Sequence, residues 1–249
     1  DHSMKFGLIG YPLSHSFSKE YFTSKFASLG LGDFKYELYP LETIEEFPAL
    51  LRSDVFGWNV TIPYKSAIIT YLNDVDAQAL KIGAVNTIVR TGQNSWKGYN
   101  TDTGGFRDSL VSWIGKKDIP SRALVLGSGG SSKAVLFALR MLGVKSTVVS
   151  RNGNGYLAYA DLTQAIIAAH PLIINTTPVG MSPDQYSCPD IPYQYLSTQH
   201  WVYDLIYNPA NTLFLRQSEQ MGAKTKNGLE MLHLQADYAW DIWKNYGKF

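Results

Sequence analysis

The second half of the chain contains Ala123-Leu124-Val125-Leu126-Gly127-Ser128-Gly129-Gly130-Ser131-Ser132, an apolar run that leads into a glycine-rich turn. The apolar run is typical of a buried strand, and the pattern from Lys133 to Leu142 is typical of a helix. A second apolar run, Ser146-Thr147-Val148-Val149, follows the helix and predicts another strand. A strand, a tight turn, a helix and a strand in this order favour a parallel α/β sheet.

The glycine-rich turn fits a Rossmann-type dinucleotide-binding site. Gly127 allows the tight turn, Gly129 lets backbone N–H groups approach a pyrophosphate at the helix N-terminus, and the small Ser132 stands where the motif has its third glycine. We therefore expect a cofactor to contact Gly127, Gly129, Gly130 and Ser131. An ordinary glycine-rich turn is the alternative, but the strand and the helix on its two sides favour binding.

The end of the next strand favours NADP over NAD. An NAD site places Asp or Glu there, about 20 residues after the glycines, to bind the ribose 2′-hydroxyl. This chain has Ser150-Arg151-Asn152 instead, and the guanidinium of Arg151 can pair with a 2′-phosphate. A solvated Arg at a strand end is the alternative. Residues 152–155 are too few for a crossover helix, so part of the wall beside the adenosine is expected to be missing.

The sequence before Asn100 predicts a second α/β unit. Strands are expected at Lys5–Gly10, Phe34–Tyr39 and Val55–Thr61, and helices at Ser18–Leu29 and Ile44–Leu51. This order favours a parallel sheet covered on both faces. Two further helices are expected, at Gly105–Ile114 and at Leu229–Tyr246, the second with one apolar face. The predicted fold is thus α/β, with an N-terminal three-layer domain (4–102 plus 229–249) and a Rossmann-type domain (103–228).

Composition excludes several classes of function. The chain has 249 residues with 22 Lys and Arg against 21 Asp and Glu, a net charge of +1. Nucleic-acid-binding proteins usually carry a basic excess, so no nucleic-acid partner is expected. Cys188 is the single cysteine, and no run approaches the ~18 apolar residues of a membrane span, so we expect a cytoplasmic protein with no membrane association. The five histidines form no metal-binding spacing, and no metal is expected.

Four polar segments fall at or after the ends of predicted strands, where open α/β sheets bind ligands. They are Ser14-His15-Ser16-Phe17-Ser18, Asn59-Val60-Thr61-Ile62-Pro63-Tyr64-Lys65, Gly83-Ala84-Val85-Asn86-Thr87 and Asn100-Thr101-Asp102. The hydroxyls of Ser16 and Ser18 suit an uncharged grip on a carboxylate, and helix capping is their alternative role. Lys65 is alternatively a surface lysine, and Asp102 alternatively caps the following helix.

Taken together, these segments resemble the shikimate dehydrogenase family, over most of the chain. The first three are similar to its Ser-x-Ser loop, its Asn-Val-Thr-x-Pro-x-Lys segment and its Gly-Ala-Val-Asn-Thr segment. The fourth is similar to its Asn-Thr-Asp turn. Two later stretches extend the resemblance: Tyr203-Asp204-Leu205-Ile206-Tyr207-Asn208-Pro209, and Asn227-Gly228-Leu229-Glu230-Met231-Leu232 followed by Gln235-Ala236.

The resemblance implies NADPH-dependent reduction of 3-dehydroshikimate to shikimate, a step of chorismate and aromatic amino acid biosynthesis. It implies Lys65 and Asp102 as the catalytic pair, because an ammonium can stabilise charge on the carbonyl oxygen and supply its proton, while a nearby carboxylate keeps the lysine protonated. The implied substrate-binding residues are Ser16, Ser18, Thr61, Asn86, Tyr207 and Gln235. Gly228 is assigned to the cofactor site, and the protein is expected to be a monomer or homodimer.

Two other functions compete with this interpretation. An NAD-linked quinate/shikimate dehydrogenase would share the same catalytic pair, but the missing carboxylate at 150–152 argues against NAD. A non-catalytic sensor of a dinucleotide or metabolite would need the binding residues without a proton donor. The presence of both Lys65 and Asp102 disfavours the sensor.

Overall fold

The computed structural model describes residues 3–14 and 16–249, so His15 of the first polar segment lies outside the described residues. The chain divides into two compact units. The first comprises residues up to Thr101 together with Ala236–Phe249, and the second comprises Asp102–Gln235. Asp102 and residues 229–235, which the sequence-based boundaries assigned to the first domain, thus group with the second unit. They do so because Gly105 packs closely against the backbone of Met231 and Gln235.

A six-stranded sheet forms the first unit, with the order β2-β1-β3-β5-β6-β4. Its strands are β1 (Lys5–Gly10), β2 (Lys35–Pro40), β3 (Val55–Val60), β4 (Asp74–Val75), β5 (Thr87–Gly92) and β6 (Ser95–Tyr99). Strand β1 runs parallel to β2 and β3, as predicted. The sheet also contains β5, for which the sequence pattern predicted no strand, and β5 runs antiparallel to both β3 and β6. The two-residue turn Gln93-Asn94 joins β5 to β6, and only antiparallel strands can be joined so tightly.

Helices cover both faces of this sheet, which confirms the three-layer prediction. The helices of the unit are α1 (Phe17–Ser28), α2 (Phe47–Leu50), α3 (Ala77–Ile82) and the C-terminal part of α8 (Leu229–Gly247). Phe22 of α1 and Trp243 of α8 pack on Phe6 and Leu8 of β1. The opposite face packs Trp58 and Trp96 against the short helices α2 and α3 and the 3₁₀ turn Ala67–Tyr71. Side chains alternate between faces along a strand, so each strand supplies both layers.

A five-stranded sheet with every neighbouring pair parallel forms the second unit, in the order β11-β10-β9-β7-β8. Its strands are β7 (Arg122–Leu126), β8 (Lys145–Val149), β9 (Leu172–Asn175), β10 (Trp201–Asp204) and β11 (Lys224–Lys226). Its helices are α4 (Asp102–Ile114), α5 (Gly130–Met141), α6 (Gln164–Ala169), α7 (Leu213–Gln220) and the first part of α8. Strand order reverses at β7, which has β8 on one side and β9 on the other. This parallel, doubly covered sheet confirms the Rossmann-type prediction.

Two apolar layers sandwich the second sheet. Helices α4 and α5 and the start of α8 pack on one face, against side chains such as Val125 of β7 and Ile174 of β9. Helices α6 and α7 pack on the other face, against Leu124 of β7 and Ile173 of β9. The segment after β8 forms turns, and the crossover to β9 contains the 3₁₀ helix Tyr159–Asp161 and the six-residue helix α6. Within the described part of the chain, no helix combines the length and apolar character that crossing a bilayer requires.

Candidate functional site

All four polar segments reach the same edge of the first sheet. The first segment follows β1, the second spans the end of β3, and the fourth follows β6. The third segment precedes β5. Because β5 runs antiparallel to β3, the first residue of β5 lies at that edge. The register shows this directly, because Thr87 pairs with Asn59 of β3 and with Tyr99 of β6. Sequence patterns predicted these segments as strand ends, and the sheet brings them together.

A network of buried hydrogen bonds joins three of the segments. Asn86 Nδ2 donates to Thr101 Oγ1 at 2.8 Å, and the Thr101 amide donates to Asn86 Oδ1 at 2.7 Å. Thr87 Oγ1 donates to Asn86 Oδ1 at 3.3 Å, and Asn59 Nδ2 donates to Thr87 Oγ1 at 3.4 Å. Each of these side chains is buried. A satisfied buried network fixes the positions of its members, so this edge presents amide and hydroxyl groups in a defined arrangement.

Tyr36 extends this network to the serine segment. Its hydroxyl donates to Asn59 Oδ1 at 2.7 Å, and its ring is buried and stacks on Phe22. Burial raises the pKa of Tyr36, and a hydrogen bond from Ser18 opposes that shift. Tyr36 is therefore bonded to Asn59 and lies beside Ser18. Sequence reasoning placed Tyr36 in a strand and gave it no role, because the contact joins residues far apart in the chain.

Ser16 caps helix α1, which is the alternative role that its sequence position predicted. The Lys19 amide donates to Ser16 Oγ at 3.1 Å, and Ser16 has the extended backbone typical of an N-cap. A hydroxyl accepts and donates at the same time, so capping leaves the Ser16 hydrogen available to a carboxylate. The two interpretations of Ser16 are compatible.

Backbone bonds hold the segment that carries Thr61 and Lys65. The Thr61 amide donates to the Ile9 carbonyl at 2.8 Å, which ties the segment to the end of β1. The Val85 amide donates to the Lys65 carbonyl at 2.7 Å, which ties Lys65 to the segment before β5. Both Thr61 and Lys65 are half-buried. The structure thus brings Ser16, Ser18, Thr61, Asn86 and Lys65 to one edge of the first sheet.

Asp102 and Gln235 both belong to the second unit. Asp102 is the first residue of α4 and is buried, and Gln235 lies on α8 with Nε2 donating to the Leu232 carbonyl at 3.0 Å. A Cβ at Gly105 would lie 2.9 Å from the Met231 carbonyl and 3.2 Å from Gln235 Cβ. Glycine therefore allows α8 to pack on the first turn of α4, which brings Gln235 to within one helical turn of Asp102. The two members of the expected catalytic pair lie in different units, Lys65 in the first and Asp102 in the second.

The glycine-rich turn after β7 lies at the point where strand order reverses. Gly127 has φ +110°, which favours glycine, and a Cβ there would lie 2.5 Å from Thr176 Oγ1. Gly129 is the N-cap of α5, makes no side-chain capping bond, and has open space where its Cβ would be. Gly130 and Ser131 begin α5, so their amides lie at the N-terminus of the helix, the end that favours negative charge. This cradle fits a pyrophosphate.

Arg151 lies on the turn after the edge strand β8 and is exposed. The turn folds back through a 2.8 Å bond from the Ser150 amide to the Leu157 carbonyl. Burial raises the pKa of Tyr159, and the positive charge of Arg151 opposes this shift. Arg151 is therefore at the side of the sheet where the adenosine half of a dinucleotide binds.

Strands β9 and β10 end in two residues that the sequence interpretation left without roles. Asn175 and Asp204, which end these two strands, are fully buried and bonded to each other at 3.1 Å. Tyr207 is half-buried in the loop after β10, and burial raises its pKa. Gly228 packs directly against the Leu205 carbonyl, where a Cβ has no room. The available signal was the polar stretch Asn175-Thr176-Thr177-Pro178 directly after an apolar strand.

Comparison with known proteins gives consistent matches along the chain. Residues 8–88 match the family model described as "Shikimate dehydrogenase substrate binding domain". The Shikimate dehydrogenase (NADP(+)) of Caldanaerobacter subterraneus subsp. tengcongensis is 38% identical over 96% of this chain and 90% of its own length.

Solved structures give the same result. Shikimate 5-dehydrogenase from Thermus thermophilus, in complex with NADP(H) and shikimate, is 32% identical with a TM-score of 0.83, covering 97% of this chain and 94% of its own. Quinate dehydrogenase from Corynebacterium glutamicum, in complex with NAD, is 26% identical with a TM-score of 0.83, covering 98% and 94%.

Proposed function

Because this chain belongs to the shikimate dehydrogenase family, we propose that it catalyses the reversible NADP-linked reduction of 3-dehydroshikimate to shikimate. It is an NADP-dependent oxidoreductase, and its place in metabolism is aromatic amino acid and chorismate biosynthesis. One structural observation carries the proposal. The four polar segments meet at one edge of the first sheet, and a buried network holds the amide and hydroxyl groups of three of them. A polyhydroxylated acid needs several neutral donors and acceptors of this kind.

Lys65 and Asp102 are proposed as the catalytic pair. Reduction of the ketone adds a hydride to carbon and leaves negative charge on oxygen. The Lys65 ammonium stabilises that charge and donates the proton that forms the product hydroxyl, and in the reverse direction its amine accepts the proton. Asp102 accepts a hydrogen bond from a substrate hydroxyl and so helps to orient the substrate. The backbone bond that anchors Lys65 and the burial of Asp102 support these roles.

The remaining assignments follow the chemistry of the substrate. Ser16 and Ser18 are proposed to bind the carboxylate, because hydroxyl donors suit an anion and both follow β1 at the polar edge. The proposed ligands of the ring hydroxyls are Thr61, Asn86 and Gln235, with Tyr207 near them. Residues 4–102 with 229–249 are proposed as the substrate-binding domain and 103–228 as the cofactor-binding domain. The division of contacts, which differs at Asp102 and 229–235, shows how closely α4 and α8 pack.

The cofactor supplies the hydride when it is bound, and the second unit has the groups to hold it. Gly127, Gly129, Gly130 and Ser131 are proposed to bind the pyrophosphate through backbone amides, because the open cradle before α5 fits it. Arg151 is proposed to bind the 2′-phosphate, since an exposed guanidinium matches that group and no carboxylate competes at 150–152. Gly228, which lies between β11 and α8, is proposed to contact the cofactor from the same edge of the second sheet.

We also propose that the enzyme acts in the cytoplasm as a monomer or homodimer. The single cysteine, Cys188, supports a reducing compartment.

Reduction of NADP⁺ in the presence of shikimate, followed by the absorbance of the reduced nicotinamide, tests the function. Turnover with shikimate and NADP⁺ is expected to exceed turnover with quinate or with NAD⁺. Lys65→Ala is expected to abolish most of the turnover, whereas Lys81→Ala, an exposed lysine of the same unit, is expected to leave it unchanged. Faster turnover with quinate and NAD⁺ would identify the quinate-type activity instead. Binding of both ligands without turnover would identify a sensor.

A further inference from the structure

A single buried carboxylate joins three structural elements at the carboxyl edge of the second sheet. Asp204 ends β10 and is fully buried. Its Oδ1 accepts from Asn175 Nδ2 at 3.1 Å and from the Ile206 amide at 3.1 Å, and its Oδ2 accepts from Thr212 Oγ1 at 2.7 Å. Asp204 is thereby bonded to the end of β9, to the loop after β10 and to the start of α7.

Asn175 connects these hydrogen bonds to the loop after β9. Its Oδ1 accepts from the Thr177 amide at 3.0 Å and from Thr177 Oγ1 at 2.7 Å. Thr177 Oγ1 in turn accepts from the Val179 amide at 3.2 Å. The path from Asp204 through Asn175 to Thr177 thus sets the course of the loop that begins beside Gly127, where Thr176 Oγ1 donates to the Leu126 carbonyl at 2.6 Å.

The loop after β10 is restrained from both of its ends. The Ile206 amide bonds to Asp204, and the Gly228 amide donates to the Ile206 carbonyl at 3.1 Å. Further along, the Ser182 amide donates to the Asn208 carbonyl at 3.0 Å, which ties this loop to the loop after β9. Tyr207 lies between these anchors, so its position depends on the bonds that start at Asp204.

A carboxylate is an unusual choice for this position if folding alone is considered. Its three donors, from Asn175, Ile206 and Thr212, are neutral, and burial raises the pKa of Asp204 to about 6 although all three hydrogen bonds oppose the shift. A buried charge compensated only by neutral donors reduces stability. A carboxylate, unlike an amide, only accepts hydrogen bonds. Each group bonded to it must therefore point a hydrogen toward it. Thr212 then directs its hydrogen to Asp204 and leaves its oxygen to cap the Leu215 amide at 3.3 Å.

The strand order shows which part of a dinucleotide these loops face. The glycine-rich turn after β7 lies where strand order reverses, and β8 with Arg151 lies on the adenosine side. The other half of the dinucleotide lies across that point, over β9 and β10. We propose that Asp204 is a positioning residue, which holds the loops after β9 and β10 in the shape that receives the nicotinamide half of NADP. This inference rests on the NADP cofactor of the proposed function.

Binding of whole and partial cofactor tests the role of Asp204. Isothermal titration with NADP⁺ and with adenosine 2′,5′-bisphosphate, which lacks the nicotinamide half, compares the two sides of the site. Asp204→Ala leaves three buried donors without an acceptor and is expected to weaken NADP⁺ binding by about tenfold or more. Binding of adenosine 2′,5′-bisphosphate is expected to change by less than about twofold, because Arg151 and the glycine turn are not bonded to Asp204. Asp204→Asn keeps an acceptor for Asn175 and Ile206 but presents Thr212 with a donor, so it is expected to restore the NADP⁺ affinity only in part.

Tyr203→Phe is the matched control. Tyr203 precedes Asp204 on β10 but faces the opposite side of the sheet, where its hydroxyl bonds to Ser109 at 2.6 Å. This variant loses a buried hydrogen bond of the same strand without touching the loops, and binding of both ligands is expected to match that of the wild type. A general loss of structural integrity would affect both ligands in both variants, whereas positioning affects only NADP⁺ in Asp204→Ala.

Thr212→Val supplies a second measurement if Asp204→Ala does not fold. It keeps the side-chain shape and removes one donor to Asp204, and a several-fold loss of NADP⁺ affinity with unchanged binding of the bisphosphate is expected. Equal losses for the two ligands, or unchanged NADP⁺ affinity in the folded variants, would overturn the inference and leave the proposed function standing. A wild-type protein that binds neither ligand would instead refute the NADP cofactor, and this inference with it.

Discussion

Replacing Asp204 by Asn should make the free energy of unfolding respond differently to pH. Burial raises the pKa of Asp204 from its ordinary value of 3.8 to about 6 in the folded protein. Between these two values the folded state binds more protons than the unfolded state, so the stability of the wild type increases as the pH falls. The uncharged amide of Asp204→Asn has no such dependence. The free energy of unfolding of the variant should therefore exceed that of the wild type at neutral pH, and this excess should shrink as the pH falls.

The size of the effect follows from the shift. A difference of about 2.2 pKa units at about 1.36 kcal/mol per unit gives about 3 kcal/mol over the whole titration. Between about pH 7.5 and about pH 5, the part accessible before general acid unfolding, the expected change is about 1.4 kcal/mol. Tyr193, the ionisable neighbour whose pKa responds to Asp204, does not contribute, because burial raises its pKa further above neutrality.

Urea unfolding at a series of pH values measures this difference. The quantity to follow is the unfolding free energy of Asp204→Asn minus that of the wild type, with the slope against urea compared to check that the same surface is exposed. Tyr203→Phe is the control, since burial raises the pKa of Tyr203 and its difference from the wild type should stay constant. A pH-independent difference for Asp204→Asn, or one that grows as the pH falls, would refute the reasoning about the buried charge.

Three further substitutions test the site. Lys65→Ala should lower turnover by about 10²–10⁴ with little change in substrate affinity, the effect of losing a general acid, and steady-state kinetics within a few-fold of wild type would make Lys65 a binding or surface residue. Arg151→Ala should weaken the binding of NADP by about 1.5–3 kcal/mol, the scale of a charge-assisted hydrogen bond. Titrations of both cofactors should show the binding of NAD almost unchanged. Equal losses would show that Arg151 does not read the 2′-phosphate. Tyr36→Phe removes the hydroxyl between Ser18 and Asn59, so KM for shikimate should rise several-fold while kcat changes less; an unchanged KM would separate Tyr36 from the substrate site.

Local sequence patterns were sufficient for much of the fold. The strand, glycine turn and helix from Ala123 to Leu142 were predicted correctly, because apolar periodicity and glycine placement act over a few residues. The first three strands and the long C-terminal helix were found in the same way. The polar segments were also recognised, since a short polar stretch directly after an apolar run marks a strand end. The sequence therefore indicated the α/β class, two sheets and the residues to examine.

Other features depended on pairs of residues that are distant in the chain. The antiparallel hairpin β5–β6 converts a segment before a strand into part of the ligand edge, and no local pattern predicted its pairing with β3. Tyr36 meets Asn59, and Asp204 meets Asn175 and Thr212, only after the strands are aligned. Hydrogen bonds of this kind are set by sheet register and by burial, which are properties of the folded chain. For that reason the sequence named the ligand-binding segments, while the groups that hold them in place emerged only from the three-dimensional arrangement.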